Sequence, residues 1–166
     1  MTSTSSIRST APIKLPIGVS DFGNLIRGGY TFVDKTPLIE EIVDQAAEVT
    51  LITRPRRFGK TLNLSMLQHF FAPIAWGQPT AGLFDGLAIF ARPNVMAHQG
   101  KYPVIFFSFK DIRATTLAEF DGKFRGLLSS LCNDYPELLN SPKLSARDRK
   151  VFQALLDKQA DAADTG

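Results

Sequence analysis

At 166 residues, 44% of them apolar, the chain is sized for one soluble domain with a core of its own. Its net charge of +3 is mild and much of it sits between positions 54 and 60, which excludes a whole-surface nucleic-acid binder. A single cysteine, Cys132, excludes an internal disulfide framework and fits a reducing, cytoplasmic compartment. No apolar run approaches the ~20 residues that a membrane-spanning helix needs.

Residues 1–12 are Ser/Thr-rich, lack an apolar stretch and read as a disordered tail. They carry arginine and no acid, as a transit peptide would, but are short and barely amphipathic. Thr36-Pro37 then opens a helix, with Thr as N-cap, Pro at the first helical position and Glu40 and Glu41 near its positive end. Its apolar face is Leu38, Ile39, Ile42, Val43, Ala46 and Ala47.

A β-branched, apolar run, Val49–Thr53, predicts a strand. It leads into Arg54-Pro55-Arg56-Arg57-Phe58-Gly59-Lys60-Thr61 and an apolar helical segment striped by Leu62, Met66 and Phe70 and widened by Leu64, Leu67 and Phe71. Strand, loop, Gly-Lys-Thr, helix is the order of a phosphate-binding P-loop. The glycine lets the backbone curl around an anion while the first helical N–H groups point at it. In that pattern Lys60 reaches the β/γ-phosphates and the Thr61 hydroxyl holds Mg²⁺. The full pattern G-x-x-x-x-G-K-[ST] wants glycine at position 54, where Arg54 stands. Charge compensates: Arg54, Arg56, Arg57 and Lys60 place four cations within seven residues. The competing reading is a solvated basic turn.

Residues 72–101, rich in Pro, Gly and Ala, read as loops with a short helical turn at Leu83–Phe90. Tyr102–Phe109 predicts a second strand, central in a parallel sheet. Thr116-Leu117-Ala118-Glu119 is a capping box opening a helix faced by Leu117, Phe120, Phe124, Leu127, Leu128 and Leu131. A last helix starts at Ser145 and carries Val151, Phe152, Leu155 and Leu156. Ala160–Gly166 decays in pattern and reads as a cut through a longer chain.

Leu51 to Phe71 resembles the R-P-R-R-F-G-K-[ST] signature of the AAA-ATPase-like family, which also carries arginine in place of the first P-loop glycine. Leu15 to Ile39, Leu83 to Ile89 and Tyr102 to Asp111 resemble three further blocks of that family in order, so the resemblance covers residues 15–112. It implies an ATP- and Mg-binding module, often joined in longer members to a restriction-endonuclease-like domain. The implied contacts are Arg54, Arg56, Arg57, Phe58, Gly59, Lys60, Thr61 and Leu62, with Thr61 on Mg through the nucleotide. The family's acidic strand lies downstream of this sequence.

Other candidates are weaker. Asp111 is the one carboxylate that could serve as a Walker B residue, but Lys110 precedes it and a strand-end cap is the plainer role. Asp34 and Lys35 read as a local ion pair or cap, or as neighbours of the nucleotide. Tyr30, Phe32 and Val33 offer a surface for adenine, with core packing as the alternative. His69 and His98 lack partners at zinc-ligand spacing, and Cys132 reads as a core thiol.

The expected fold is α/β: a P-loop NTPase-like three-layer parallel sheet with helices on both faces, present in its front half. It would span 13–160 between disordered ends at 1–12 and 161–166. The expected function is binding of ATP or GTP without hydrolysis, for want of the acidic strand. The rivals are an interaction or nucleic-acid-binding module using the basic 54–60 loop, and a truncated remnant.

Overall fold

A computed structural model of the chain describes residues 13–53, 55, 58–110 and 112–163. The expected tail at 1–12, the arginines 54, 56 and 57, Asp111 and residues 164–166 lie outside the described residues. The chain divides into two compact units, residues 1–104 and 105–166.

The first unit begins with α1 (Phe22–Arg27), capped by Asp21, whose carboxylate accepts the Asn24 N–H at 2.7 Å. Then come α2 (Pro37–Gln45) and α3 (Lys60–Phe71). Pro37 stands at the start of α2, but Thr36 makes no side-chain capping bond, because its hydroxyl is used elsewhere. After α3 the chain folds into a hairpin of β1 (Ile74–Ala75) and β2 (Gln78–Pro79), antiparallel with Ala75 opposite Gln78. Its two-residue turn, Trp76-Gly77, has φ of 51° and 72°, so both residues are left-handed as a type I′ hairpin requires. Thr80 locks the hairpin to the end of α3 by donating its hydroxyl to the Ala72 carbonyl at 2.6 Å. A 3-10 turn (Ala88–Ala91) and the short α4 (Pro93–Met96) complete the unit.

The core of this unit is one cluster: Phe22, Ile39, Met66, Phe70, Leu83, Phe84, Ile89 and Val95. Phe84 is its centre. Its ring stacks on Phe22 at 4.9 Å and meets the edge of Phe70 at 5.1 Å.

The second unit is built around α5 (Leu117–Asn133) and α6 (Ala146–Ala163), which pack together. The Ser129 hydroxyl, buried in α5, donates to the Leu155 carbonyl of α6 at 2.5 Å. Thr116 caps α5 as expected, accepting the Glu119 N–H at 3.2 Å. The reciprocal half of the box is shifted by one residue, since the Glu119 carboxylate accepts from Thr115, at its N–H (2.9 Å) and its hydroxyl (3.2 Å). Hydrogen bonding from Lys123 and Thr115 holds that carboxyl down to a pKa of about 2.

The expected three-layer parallel sheet is overturned. The described residues are mostly helical, and their one sheet is the two-stranded antiparallel hairpin. Val49–Thr53 and Tyr102–Phe109 are both apolar and β-branched or aromatic, yet neither forms a strand. Strand propensity is a preference for a pleated, half-buried surface, and a strand exists only when a neighbour supplies its hydrogen bonds. Neither segment is part of a sheet ladder among the described residues, and Val49 and Leu51 are 84% and 82% exposed. Helix α3 packs on α1 and the hairpin rather than on the expected parallel sheet.

Candidate functional site

The turn into α3 is the most distinctive backbone feature of the basic segment. Gly59 caps the helix with φ of 73°, a left-handed conformation that residues with a Cβ adopt at a cost. Asn63 N–H to Gly59 C=O, at 2.9 Å, closes the first turn. The amides of Lys60, Thr61 and Leu62 therefore precede the helical hydrogen-bond ladder and have no acceptor within it. Lys60 and Thr61 are exposed, as is Phe58, while Leu62 turns inward and packs against the core cluster. The helix is thus anchored through Leu62, Met66 and Phe70, and its positive end opens to solvent. The Thr61 hydroxyl makes no hydrogen bond with the described residues.

Charge is distributed unevenly along this part of the sequence. Between residues 49 and 84 the sequence contains Arg54, Arg56, Arg57 and Lys60 but no aspartate or glutamate. A fifth cation comes from outside that stretch. The Lys35 ammonium lies 3.8 Å from the point that a Cβ on Gly59 would occupy.

Asp34 does not pair with Lys35. Its Oδ1 accepts the Thr36 N–H at 2.8 Å and the Thr36 hydroxyl at 2.7 Å, and its Oδ2 accepts the Ala88 N–H at 2.7 Å. Thr36, fully buried, in turn accepts the Ile89 N–H at 3.1 Å. Burial pushes the Asp34 carboxyl up, but the bonds from Ala88 and Thr36 outweigh it and leave it below its ordinary range. Between a local ion pair and a cap, Asp34 forms the cap, extended into a clasp on the 3-10 turn.

The aromatic residues ahead of α2 are largely engaged. Phe32 sets its ring edge-on to Phe22 at 5.5 Å, and the Lys14 ammonium sits 4.1 Å from the centre of the Tyr30 ring. Val33 is exposed.

Sequence reasoning missed a buried polar cluster behind α1. The Ser65 hydroxyl donates to Asp21 Oδ2 at 3.0 Å and accepts the Phe22 N–H at 3.0 Å. His69, fully buried, places Nδ1 2.8 Å from the Ser65 carbonyl, which can only accept, so Nδ1 carries the proton. Its Nε2 is 3.7 Å from Asp21 Oδ2. A Cβ on Gly23 would lie 2.5 Å from that Nε2, so α1 and α3 approach this closely only with glycine there. The signal was Ser65 and His69 four residues apart on one helix face, and it is structural: both are sealed from solvent.

His98 stacks on Tyr102 and hydrogen-bonds its hydroxyl. Among the described residues no group of three or more His, Cys, Asp or Glu side chains is placed to hold a metal ion. Cys132 is half-buried, and burial pushes its thiol up, away from thiolate reactivity. No helix of the described residues is long and apolar enough to cross a membrane.

The comparisons with known proteins agree with the resemblance and extend it. The profile of the AAA-ATPase-like family, described as "Predicted AAA-ATPase", matches residues 16–164, and the chain belongs to that family. The match continues through α5 and α6, well past residue 112, where the motif blocks end. A relative from Azotobacter chroococcum mcd 1, described as an uncharacterized protein in the vnfD 5' region, is 34% identical over 117 residues. That alignment covers 70% of this chain and 21% of the relative, so the chain spans about a fifth of the relative's length. No solved structure matches.

Proposed function

We propose that the chain binds a nucleoside triphosphate, ATP or GTP, with Mg²⁺ at the turn into α3. Lys60 supplies the main cationic contact, the amides of the first turn of α3 cradle phosphate, and the Thr61 hydroxyl holds the metal. Arg54, Arg56, Arg57 and Phe58 border the same loop. The observation that carries this reading is the left-handed Gly59 opening a twelve-residue helix whose exposed positive end lies in an acid-free stretch. Membership of a family described as a predicted ATPase supports the ligand class.

The proposed activity is binding without turnover. Phosphoryl transfer needs a carboxylate to fix the metal and the attacking water, besides the lysine. Asp111 follows Lys110 and is a poor candidate for that role. In a longer family member the module would couple nucleotide state to an attached domain.

Removing a charge-assisted phosphate contact costs about 1.5–3 kcal/mol. Titration of labelled Mg-ATP should therefore show Lys60→Ala binding roughly ten- to a hundredfold more weakly than the unaltered chain. Equal affinities, or no binding by either at millimolar nucleotide, would sink the proposal. Steady phosphate release by the unaltered chain would contradict its second half.

A further inference from the structure

We propose that the N-terminal half of α5 is the surface through which two copies of this chain pair, antiparallel, about a two-fold axis level with Gly122. The inference concerns the second unit alone and does not depend on the nucleotide reading.

The apolar face that periodicity predicts for α5 is covered along only part of its length. Leu127, Leu128 and Leu131 are half-buried, whereas Leu117 is 82% exposed and Phe120 40%. The uncovered surface continues off the helix through ring contacts. Phe120 stacks on Phe124 at 5.8 Å, Phe124 stacks on Phe109 at 6.3 Å, and Phe109 meets Phe107 edge-on at 5.4 Å. Phe107 and Phe109 are also exposed. Rings that touch one another while facing water form one continuous apolar surface, and such a surface marks an interface where a lone exposed leucine does not.

The charges of the same helix select the partner. Helix α5 carries four charged residues, Glu119 and Asp121 before Gly122 and Lys123 and Arg125 after it. Within one chain they pair along the helix, Glu119 with Lys123 at 2.6 Å and Asp121 with Arg125 at 2.7 Å. All four are exposed, and exposed pairs one turn apart are weak, so they exchange partners at little cost. Two acids and two bases leave the helix without net charge, which gives a polyanion nothing to be drawn to. A second α5 laid antiparallel, with the two-fold at Gly122, sets the acid half of each copy level with the basic half of the other. The same operation brings Phe120 of one copy level with Phe124 of the other. A parallel copy would instead set acid half beside acid half. The helix is thus complementary to its own reverse in both charge and rings, which is what a two-fold contact between identical surfaces requires.

The test is the mass of the full chain in solution over a concentration series, by sedimentation equilibrium under reducing conditions. The unaltered chain should approach twice its 18.3 kDa mass as concentration rises. Leu117→Ser and Phe120→Ser should each weaken pairing about tenfold or more. Glu119→Lys combined with Asp121→Lys makes the helix wholly basic, and Lys123→Glu combined with Arg125→Glu makes it wholly acidic. Each of these chains alone should be monomeric where the unaltered chain is paired, and an equal mixture of the two should pair again. Their helix content, read by circular dichroism, should match that of the unaltered chain. An unaltered chain that is monomeric at every concentration overturns the inference and leaves the face to a different partner. Growth beyond a dimer overturns it too, as does pairing that neither serine variant weakens. Charged chains that keep their helix and stay apart on mixing overturn the antiparallel contact. If the charged chains lose helix, the two serine variants decide.

Discussion

Residues 49–53 and residues 83–95 have exchanged the roles that their sequences suggest. The first is a compact β-branched run, and it lies on the surface with Val49 and Leu51 exposed. The second is broken by glycine and proline, yet it contributes Leu83, Phe84, Ile89 and Val95 to the core. Regularity of pattern therefore says which conformation a segment can take, while burial depends on whether neighbours exist to cover it. An irregular segment can fill a core when its polar backbone groups are satisfied. Here the clasp of Asp34 and Thr36 meets the amides of Ala88 and Ile89 at the entrance to the 3-10 turn.

The sharpest way to break this contrast is Phe84→Ala. Phe84 is fully buried among Phe22 and Phe70, and truncating such a side chain leaves a cavity costing about 3–5 kcal/mol. Chemical denaturation should show a loss of that order. A loss under 1 kcal/mol would mean that the 83–95 segment is not the core.

Thr36→Val probes the clasp with a smaller effect. The substitution keeps the shape but strands the buried Ile89 N–H and takes one donor from Asp34, a cost of about 1–3 kcal/mol. It also changes the acid response. The folded Asp34 carboxyl is lowered, so its contribution is fully present above its ordinary value of 3.8 and is lost as pH falls through the folded value. Stability measured from neutral pH down through that range should fall less steeply in Thr36→Val than in the unaltered chain. Parallel slopes would remove Asp34 from the account.

The smallest effect is expected at the other pole of the comparison. Leu51→Ser alters a side chain that is 82% exposed and should change stability by no more than about 0.5 kcal/mol. A loss above 2 kcal/mol would show that residues 49–53 are covered in solution, and would erase the contrast.

Some of the molecule was legible because its cause is local. Pro37 at the first turn of α2, Thr116 capping α5, and Ser145 accepting the Asp148 N–H at 3.1 Å ahead of α6 all follow from groups within a few residues of each other. The Gly59-Lys60-Thr61 turn was legible for the same reason, since a left-handed glycine before an apolar helical stripe is a local instruction. Leu62, Met66 and Phe70 were rightly placed on the inner face of α3, because a period of 3.6 survives whatever that face packs against.

What tertiary structure alone decided involves partners distant in the chain. The sequence could not show that Thr36 would spend its hydroxyl on Asp34 and Ile89 instead of capping α2, because Ile89 lies 53 residues away. Nor could it show that the strand-like segments would not become strands, since a ladder depends on a neighbour and not on propensity alone. Asp21, Ser65 and His69 meet only because α1 packs on α3, and Lys35 faces Gly59 only because the turn before α2 is held against that helix's start. Short-range sterics and capping are written into consecutive residues. The meeting of charges and the covering of apolar faces are settled only when the whole chain has collapsed.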